Sequence, residues 1–241
     1  MSEVSRQFPS SQAQMIISFK GHQFPKDVIL HAVFFYVRYS ISYRDLEEIL
    51  TERGMNVDHA TLNRRVVKFS PLVAVEVHKR KQSTANSWRM DETYIKVRGQ
   101  WMYLYRAVDR DGKTLDFMLS KRRNAATATR FFAKALSSND IPMRIVIDKS
   151  GANGAGITEV NRILKRFGCL AKINTVRSKY LNNMIEQDHR FIKQRTRPML
   201  GFKSFNTAMA TLEGVEIAQT IRKRQFDLDG SGFAQFATLA G

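Results

Sequence analysis

The sequence contains a single cysteine, Cys169, which rules out an intramolecular disulfide and any zinc site built from several thiolates. It also lacks an apolar run long enough to cross a bilayer. The longest, such as Val28–Val37, is interrupted by His31, and the polar start MSEVSRQFPSSQAQ has no signal-peptide core. These absences predict a protein that stays in a reducing cytoplasm and has no membrane partner. The five histidines, His22, His31, His59, His78 and His189, form no HxH or HExxH pair, so the obvious zinc and nicking motifs are missing. A glycine-rich stretch, SGANGAG, follows a strand-like run but carries no GK[ST], which excludes a P-loop. Acidic residues are scarce, at 22 against 39 Lys and Arg, for a net charge of +17. That excess is spread along the chain and points to a polyanionic partner, nucleic acid. A content of 43% apolar residues with 16 Phe describes a packed globule, and 241 residues suffice for one large domain or two small ones.

In chain order, residues 1–19 have no periodic apolar pattern and read as a flexible lead-in. Residues 20–80 read as an all-α segment. Pro25 opens a helix with Val28, Ala32, Phe35 and Tyr39 at helical spacing. Ser42 with Asp45 forms a capping box ahead of a stripe of Leu46, Ile49 and Leu50, and Gly54 supplies a left-handed C-cap. Asp58 then caps a second short helix whose Leu62, Val66 and Phe69 point inward, leaving His59, Asn63, Arg64, Arg65 and Lys68 to face elsewhere. Two short helices joined by a glycine-bearing turn, the second studded with bases, have the form of a helix-turn-helix that contacts DNA. Ser70–Pro71 is expected to end that helix, with one more short helix over Leu72–Arg80 and a polar linker over 81–87.

From Trp88 the period changes to that of strands. WRMDETYIKV, WMYLYRAVD and TLDFMLS, separated by Arg98–Gly99–Gln100 and Asp111–Gly112, predict an antiparallel meander. A helix capped by Asn124 follows, then a buried strand MRIVID, a glycine-rich loop SGANGAG, a helix ITEVNRILKRF, a fifth strand CLAKINTV and a helix over Leu181–Arg195 capped by Asn182 or Asn183. A long helix over Phe202–Arg224 closes the pattern, and the tail 226–241 has no assignment. The order βββαβαβα predicts an α/β fold, a ribonuclease H-like mixed sheet with flanking helices over 88–225.

Three acids stand out in this pattern. Asp91 lies inside the first strand, where an unpartnered acid is unusual; Asp148 ends the fourth; Glu186 lies on a later helix. In a ribonuclease H-like sheet the first and fourth strands are neighbours, so these carboxylates can converge. Three converging carboxylates need a cation, and hard oxygen ligands suit Mg²⁺ or Mn²⁺, a pair of which fits in-line phosphoryl transfer. On the helix of Glu186, Arg190 and Lys193 fall at i+4 and i+7 and share its face, which suits contact with a DNA phosphate. Taken singly, an aspartate at a strand end and a glutamate on a helix are ordinary turn-forming and solvated residues.

The strings ISYRDLEEILTERGMNVDHATL, MDETYIKVRGQWMYLYRAVD, SKYLNNMIEQDHRFIK and MLGFKSFNTAMATLEGVEI resemble the IS6 family of DDE transposases of bacterial insertion sequences, over roughly residues 20–224. The resemblance implies Asp91, Asp148 and Glu186 as metal ligands and Lys193 as the basic residue two turns after the glutamate. It implies a transposase that binds terminal inverted repeats and cleaves and joins DNA strands as a dimer or higher multimer. The segment KSGANGAG departs from the family pattern, as does a longer spacing between the second and third acids. A reading from another class is a DNA-binding protein without catalysis, a repressor or domesticated relic; the complete set of three acids argues against it.

Overall fold

The computed structural model describes residues 17–178 and 183–241. Most of the expected lead-in and the Asn182 cap therefore lie outside the described residues. Three helices come first: α1 (Lys26–Arg38), α2 (Tyr43–Glu52) and α3 (His59–Arg80). The strands β1 (Ser87–Val97), β2 (Gln100–Asp109) and β3 (Thr114–Ser120) follow, then α4 (Ala125–Ser137), β4 (Arg144–Ile147), α5 (Gly151–Arg166), β5 (Asn174–Arg177), α6 (Asn183–Thr196), α7 (Phe205–Arg222) and α8 (Gly232–Leu239). No described helix is long and apolar enough to cross a membrane.

The sheet runs β3-β2-β1-β4-β5. β2 pairs antiparallel with both β1 and β3, while β4 pairs parallel with β1 and β5, so β2 alone opposes its companions. This is the ribonuclease H-like arrangement that the order of elements predicts. The β1–β2 turn is a two-residue loop with Arg98 at φ 51° and Gly99 at φ 76°, the left-handed pair that matches the twist of a hairpin. At the next turn the buried Asp109 carboxylate accepts from the backbone N–H groups of Asp111, Lys113 and Ala85 at 2.8–2.9 Å.

Alternation along the strands divides the interior. Trp88, Met90, Tyr105 and Ile147 face α4 and α5, packing with Phe131, Phe132 and Ile157. Ile95, Val97, Leu104 and Phe117 face the other way and join a core built from α1, α3, α7 and α8. The N-terminal helices and one face of the sheet thus share a single core.

Several local expectations are corrected. The capping box of Ser42 and Asp45 and the Asp58 cap are present, but α3 does not stop at Pro71; it is continuous to Arg80. A proline inside a helix costs about 3 kcal/mol through its lost hydrogen bond and ring clash. Here packing outweighs that: Phe69, Ser70 and Val73 are wholly buried, and Gly214 of α7 comes so close that a Cβ there would lie 2.6 Å from Ser70 Oγ. Of the expected α1 stripe, Ala32 is buried, Val28 and Phe35 are half-buried and Tyr39 is exposed; the buried face is Ile29, Leu30, Ala32, Val33, Phe34, Tyr36 and Val37. The stretch GANGAG is the first turns of α5, not a loop. Its glycines allow α5 to lie against α4, since a Cβ at Gly156 would sit 2.7 Å from Ala128 Cβ. The unassigned tail folds as α8, with Phe236 and Leu239 buried.

Candidate active site

Parallel pairing sets Arg89 opposite Val146, and continuing that register brings Asp91 level with Asp148. Their carboxylates meet as expected, with one unexpected companion: an oxygen each from Asp91, Glu92 and Asp148 lies within 4.8 Å of the others. All three are partly buried. Glu92 follows Asp91 on β1, and consecutive strand residues point to opposite faces, so it looks toward α5 and Asp91 toward α6.

The Glu92 side chain is held by Arg123, whose Nε and a terminal nitrogen donate to its two oxygens at 3.3 and 3.4 Å. The same guanidinium reaches Asp148 Oδ2 at 3.3 Å. Asn153, on the first turn of α5, donates to Glu92 Oε2 at 3.2 Å. Burial pushes the Glu92 carboxyl above its usual range, an effect opposed by Arg123 and Asn153 and reinforced by the charge of Asp91. Asp148 also accepts from the Ser150 backbone N–H at 2.9 Å, which fixes its rotamer at the start of α5. On the other face His189 of α6 places Nε2 3.4 Å from Asp91 Oδ2. Neither ring nitrogen of this buried histidine makes a hydrogen bond, and neither does the buried Asn153 Oδ1. Three carboxylates with an oxygen each within 4.8 Å of the others offer hard donors that fit a divalent cation.

Glu186 is exposed on α6 and its carboxylate is not part of this cluster among the described residues. It lies one helical turn before His189, the α6 residue that touches Asp91. Lys193 and Arg190 are exposed on the same helix. Ile185 and Ile192, both wholly buried, seat α6 on the core.

In the N-terminal segment, Arg64 and Lys68 are exposed, and Asn63 and Arg65 are partly buried. His59 Nδ1 pairs with Glu47 at 2.9 Å. Arg64 donates to Thr61 Oγ1 at 2.7 Å. Arg65 and Lys68 both contact the ring of His22, whose pKa is lowered by desolvation and then by those two charges. Two cations crowded round one neutral ring leave positive charge for an outside anion.

Beneath the site lies a buried ion network that the sequence pattern does not predict. Arg106, opposite Asp91 in the β1–β2 register, is 0% exposed and makes two 2.7 Å bonds to Glu216 of α7. It also pairs with Asp188 of α6 at 3.2 Å, and Lys223 Nζ bonds the same carboxylate at 2.6 Å. This network ties α6 to β2 and α7. The only sequence signal for it is the presence of charged residues at core positions of amphipathic patterns.

A family model for a DDE domain, DDE_Tnp_IS240, matches residues 85–225. The transposase for insertion sequence-like element IS431mec of Staphylococcus aureus (strain N315) is 42% identical over 207 residues, covering 86% of this chain and 89% of the relative. The transposase for insertion sequence element IS257 in transposon Tn4003, also of Staphylococcus aureus, is 41% identical over 207 residues with the same coverage. Among solved structures, the catalytic core domain of BIV integrase aligns at a TM-score of 0.43 with 16% identity, over 61% of this chain and 88% of that one.

Proposed function

The chain belongs to the IS6 family of DDE transposases of bacterial insertion sequences, and from that premise we propose that its carboxylate cluster carries out DNA strand cleavage and strand transfer. The observation that supports this most directly is the meeting of Asp91 and Asp148 on adjacent parallel strands. Asp91 and Asp148, joined by Glu186 from α6, would hold a pair of Mg²⁺ or Mn²⁺ ions, which when bound supply Lewis-acid stabilisation and a more acidic water. Water attacks the phosphodiester at the element's end and releases a 3′-OH. That hydroxyl then attacks a target phosphodiester, joining the strands and expelling a second 3′-OH, so the protein forms no covalent intermediate.

The protein's own groups position the DNA. Lys193, two turns beyond Glu186 on one helix face, contacts a phosphate beside the scissile bond and offsets charge as that phosphorus becomes five-coordinate. Arg190 adds a second backbone contact. Residues 20–80 hold the terminal inverted repeats, with His59, Asn63, Arg64, Arg65 and Lys68 of α3 on the DNA, and residues 88–225 form the catalytic unit. Two ends are joined by a dimer or higher multimer, acting on DNA in the bacterial cytoplasm.

The test is a nicking and strand-transfer assay on DNA carrying the element's ends. Asp91→Asn, Asp148→Asn and Glu186→Gln are each expected to abolish cleavage with end binding nearly intact. Ca²⁺, with its longer and less regular bonds, is expected to support binding but no reaction. Lys193→Ala should slow strand transfer more than about tenfold, equivalent to ~1.4 kcal/mol, and Lys193→Arg should restore part. Wild-type nicking by any of the three carboxylate variants removes that residue from the site. End binding with no nicking under any metal makes the chain a DNA-binding protein only.

A further inference from the structure

A cavity of about 810 Å³ opens where the β1–β2 hairpin meets the end of α6. This is within the size range of small-ligand pockets, about 300–1,000 Å³. Its lining includes Tyr94, Lys96, Trp101, Lys193, Arg197 and Leu200. Three of these hold apolar surface in water: Tyr94 is 48% exposed, Trp101 64% and Leu200 93%. Trp101 meets Tyr94 edge-on at a centroid distance of 6.5 Å, and Lys96 Nζ lies 6.0 Å from the Trp101 ring. The second tryptophan, Trp88, is 1% exposed, so the chain's burial rules do apply to indoles and Trp101 is an exception to them.

The cleft is built, not left over. Arg98 donates its backbone N–H to Phe202 at 2.7 Å, and Phe202 donates to Lys96 at 3.0 Å. The hairpin and the loop after α6 are therefore stitched together as opposite walls. Leu200 sits at φ 51° and Gly201 at φ 91°, and a Cβ on Gly201 would press to 3.3 Å from the Lys96 carbonyl. A leucine in the left-handed region with its side chain in solvent is a strained backbone serving an exposed apolar surface, a combination that marks ligand-holding loops.

Aromatic faces interleaved with cations suit nucleic acid, and they discriminate between its forms. A duplex offers only phosphates and base edges to a cleft like this, because its base faces are stacked on one another. An unpaired nucleotide offers a base face to an aromatic ring and a phosphate to a lysine or arginine. We propose that this cleft binds an unpaired nucleotide of a DNA strand, its base stacked on Trp101 with Tyr94 edge-on beside it, and its phosphates held by Lys96, Lys193 and Arg197. The proposal rests on the transposase reading, since Lys193 links the cleft to the helix of Glu186, and it adds a class of ligand that the carboxylate cluster does not require.

The experiment compares binding of the full chain, by fluorescence anisotropy in Ca²⁺, to blunt duplex and to the same duplex with a single-stranded overhang carrying 2-aminopurine. The overhang should bind more than about fivefold tighter, with quenching of the 2-aminopurine emission. Trp101→Ala and Tyr94→Ala should remove the preference and the quenching while blunt duplex binds as before, and Trp101→Phe should retain part of both. Both side chains are exposed, and an unchanged thermal melt will confirm that each variant folds. Equal binding of the two DNAs by the wild type overturns the proposal. So does an equal weakening of both by Trp101→Ala, which would mean a duplex contact, or a change of sedimentation with the preference intact, which would mean a contact between copies of the chain. Metal-dependent nicking by the same preparation reports separately on the transposase reading. Nicking without overhang preference overturns the cleft alone. Overhang preference without nicking supports the cleft and removes the catalytic reading.

Discussion

Arg106 keeps a full charge with none of its surface in water, and its stability depends on carboxylates supplied by two different helices, Glu216 from α7 and Asp188 from α6. Removing the arginine leaves both acids buried and under-compensated. Arg106→Met is therefore expected to lower unfolding free energy by about 3–5 kcal/mol, read by chemical denaturation. Asp188 gives the pH signature of the same network. Burial alone would push its carboxyl up, but Arg106, then Lys223, hold it below the usual range. A depressed folded pKa means the stability it contributes is fully present above the unfolded value, about 3.9, and is lost as pH falls through the folded one. Stability measured below about pH 4 should thus fall less steeply in Asp188→Asn than in the wild type, from a lower starting point. At the same residue scale, Asp91 and Asp148 are legible in the sequence because each acid interrupts or ends an apolar strand. Glu92 is not, because strand alternation sends neighbours to opposite faces, and its carboxylate is held at the cluster by Arg123 and Asn153. Nothing local in the sequence announces either partner.

Among the elements, strands and capped helices are legible, and composition misleads where packing decides. The meander is plain from alternation and from the Arg98–Gly99 turn, and Ser42, Asp58 and Asn124 each cap the helix that follows; the Ser204 cap lies inside the stretch that reads as helix from Phe202, and α7 starts only at Phe205. GANGAG, by contrast, reads as a loop because glycine is a poor helix former, yet it is helical because α4 lies too close for side chains. This makes its glycines unequal. A Cβ on Gly151 would meet nothing within 4 Å, whereas at Gly156 it would meet Ala128 Cβ at 2.7 Å and the Thr129 backbone at 3.0 Å. Gly151→Ala is expected to be neutral or to add up to about 1 kcal/mol through helix propensity. Gly156→Ala should cost about 1–3 kcal/mol through overpacking, and thermal unfolding of the pair will separate the two. Pro71 teaches the same lesson in reverse, since α7 holds α3 together across a residue that ends most helices.

For the whole molecule, the C-terminal segment matters more than its sequence suggests. With Phe236 and Leu239 buried, Phe236 5.4 Å from Phe34 and Phe233 stacked on His31 at 4.7 Å, α8 covers α1. Its eight residues carry too few periods for a pattern to stand out, which is why the tail gives no helical signal. Truncation before Gly230 should lower the melting temperature and weaken DNA-end binding together, because the helices it uncovers share a core with α3. A truncated chain that melts and binds as the full one does would show that α8 is dispensable. That common core, running from α1 and α3 through α7 to the sheet, has a further meaning. On the proposed reading, in which α3 holds the DNA and the carboxylates cut it, grip and cutting edge are set in one block and would act as a calliper: within each copy the span from the recognised base pairs to the severed bond would be a dimension of the fold, so the ends of the element would be measured by the same contacts that keep the protein folded.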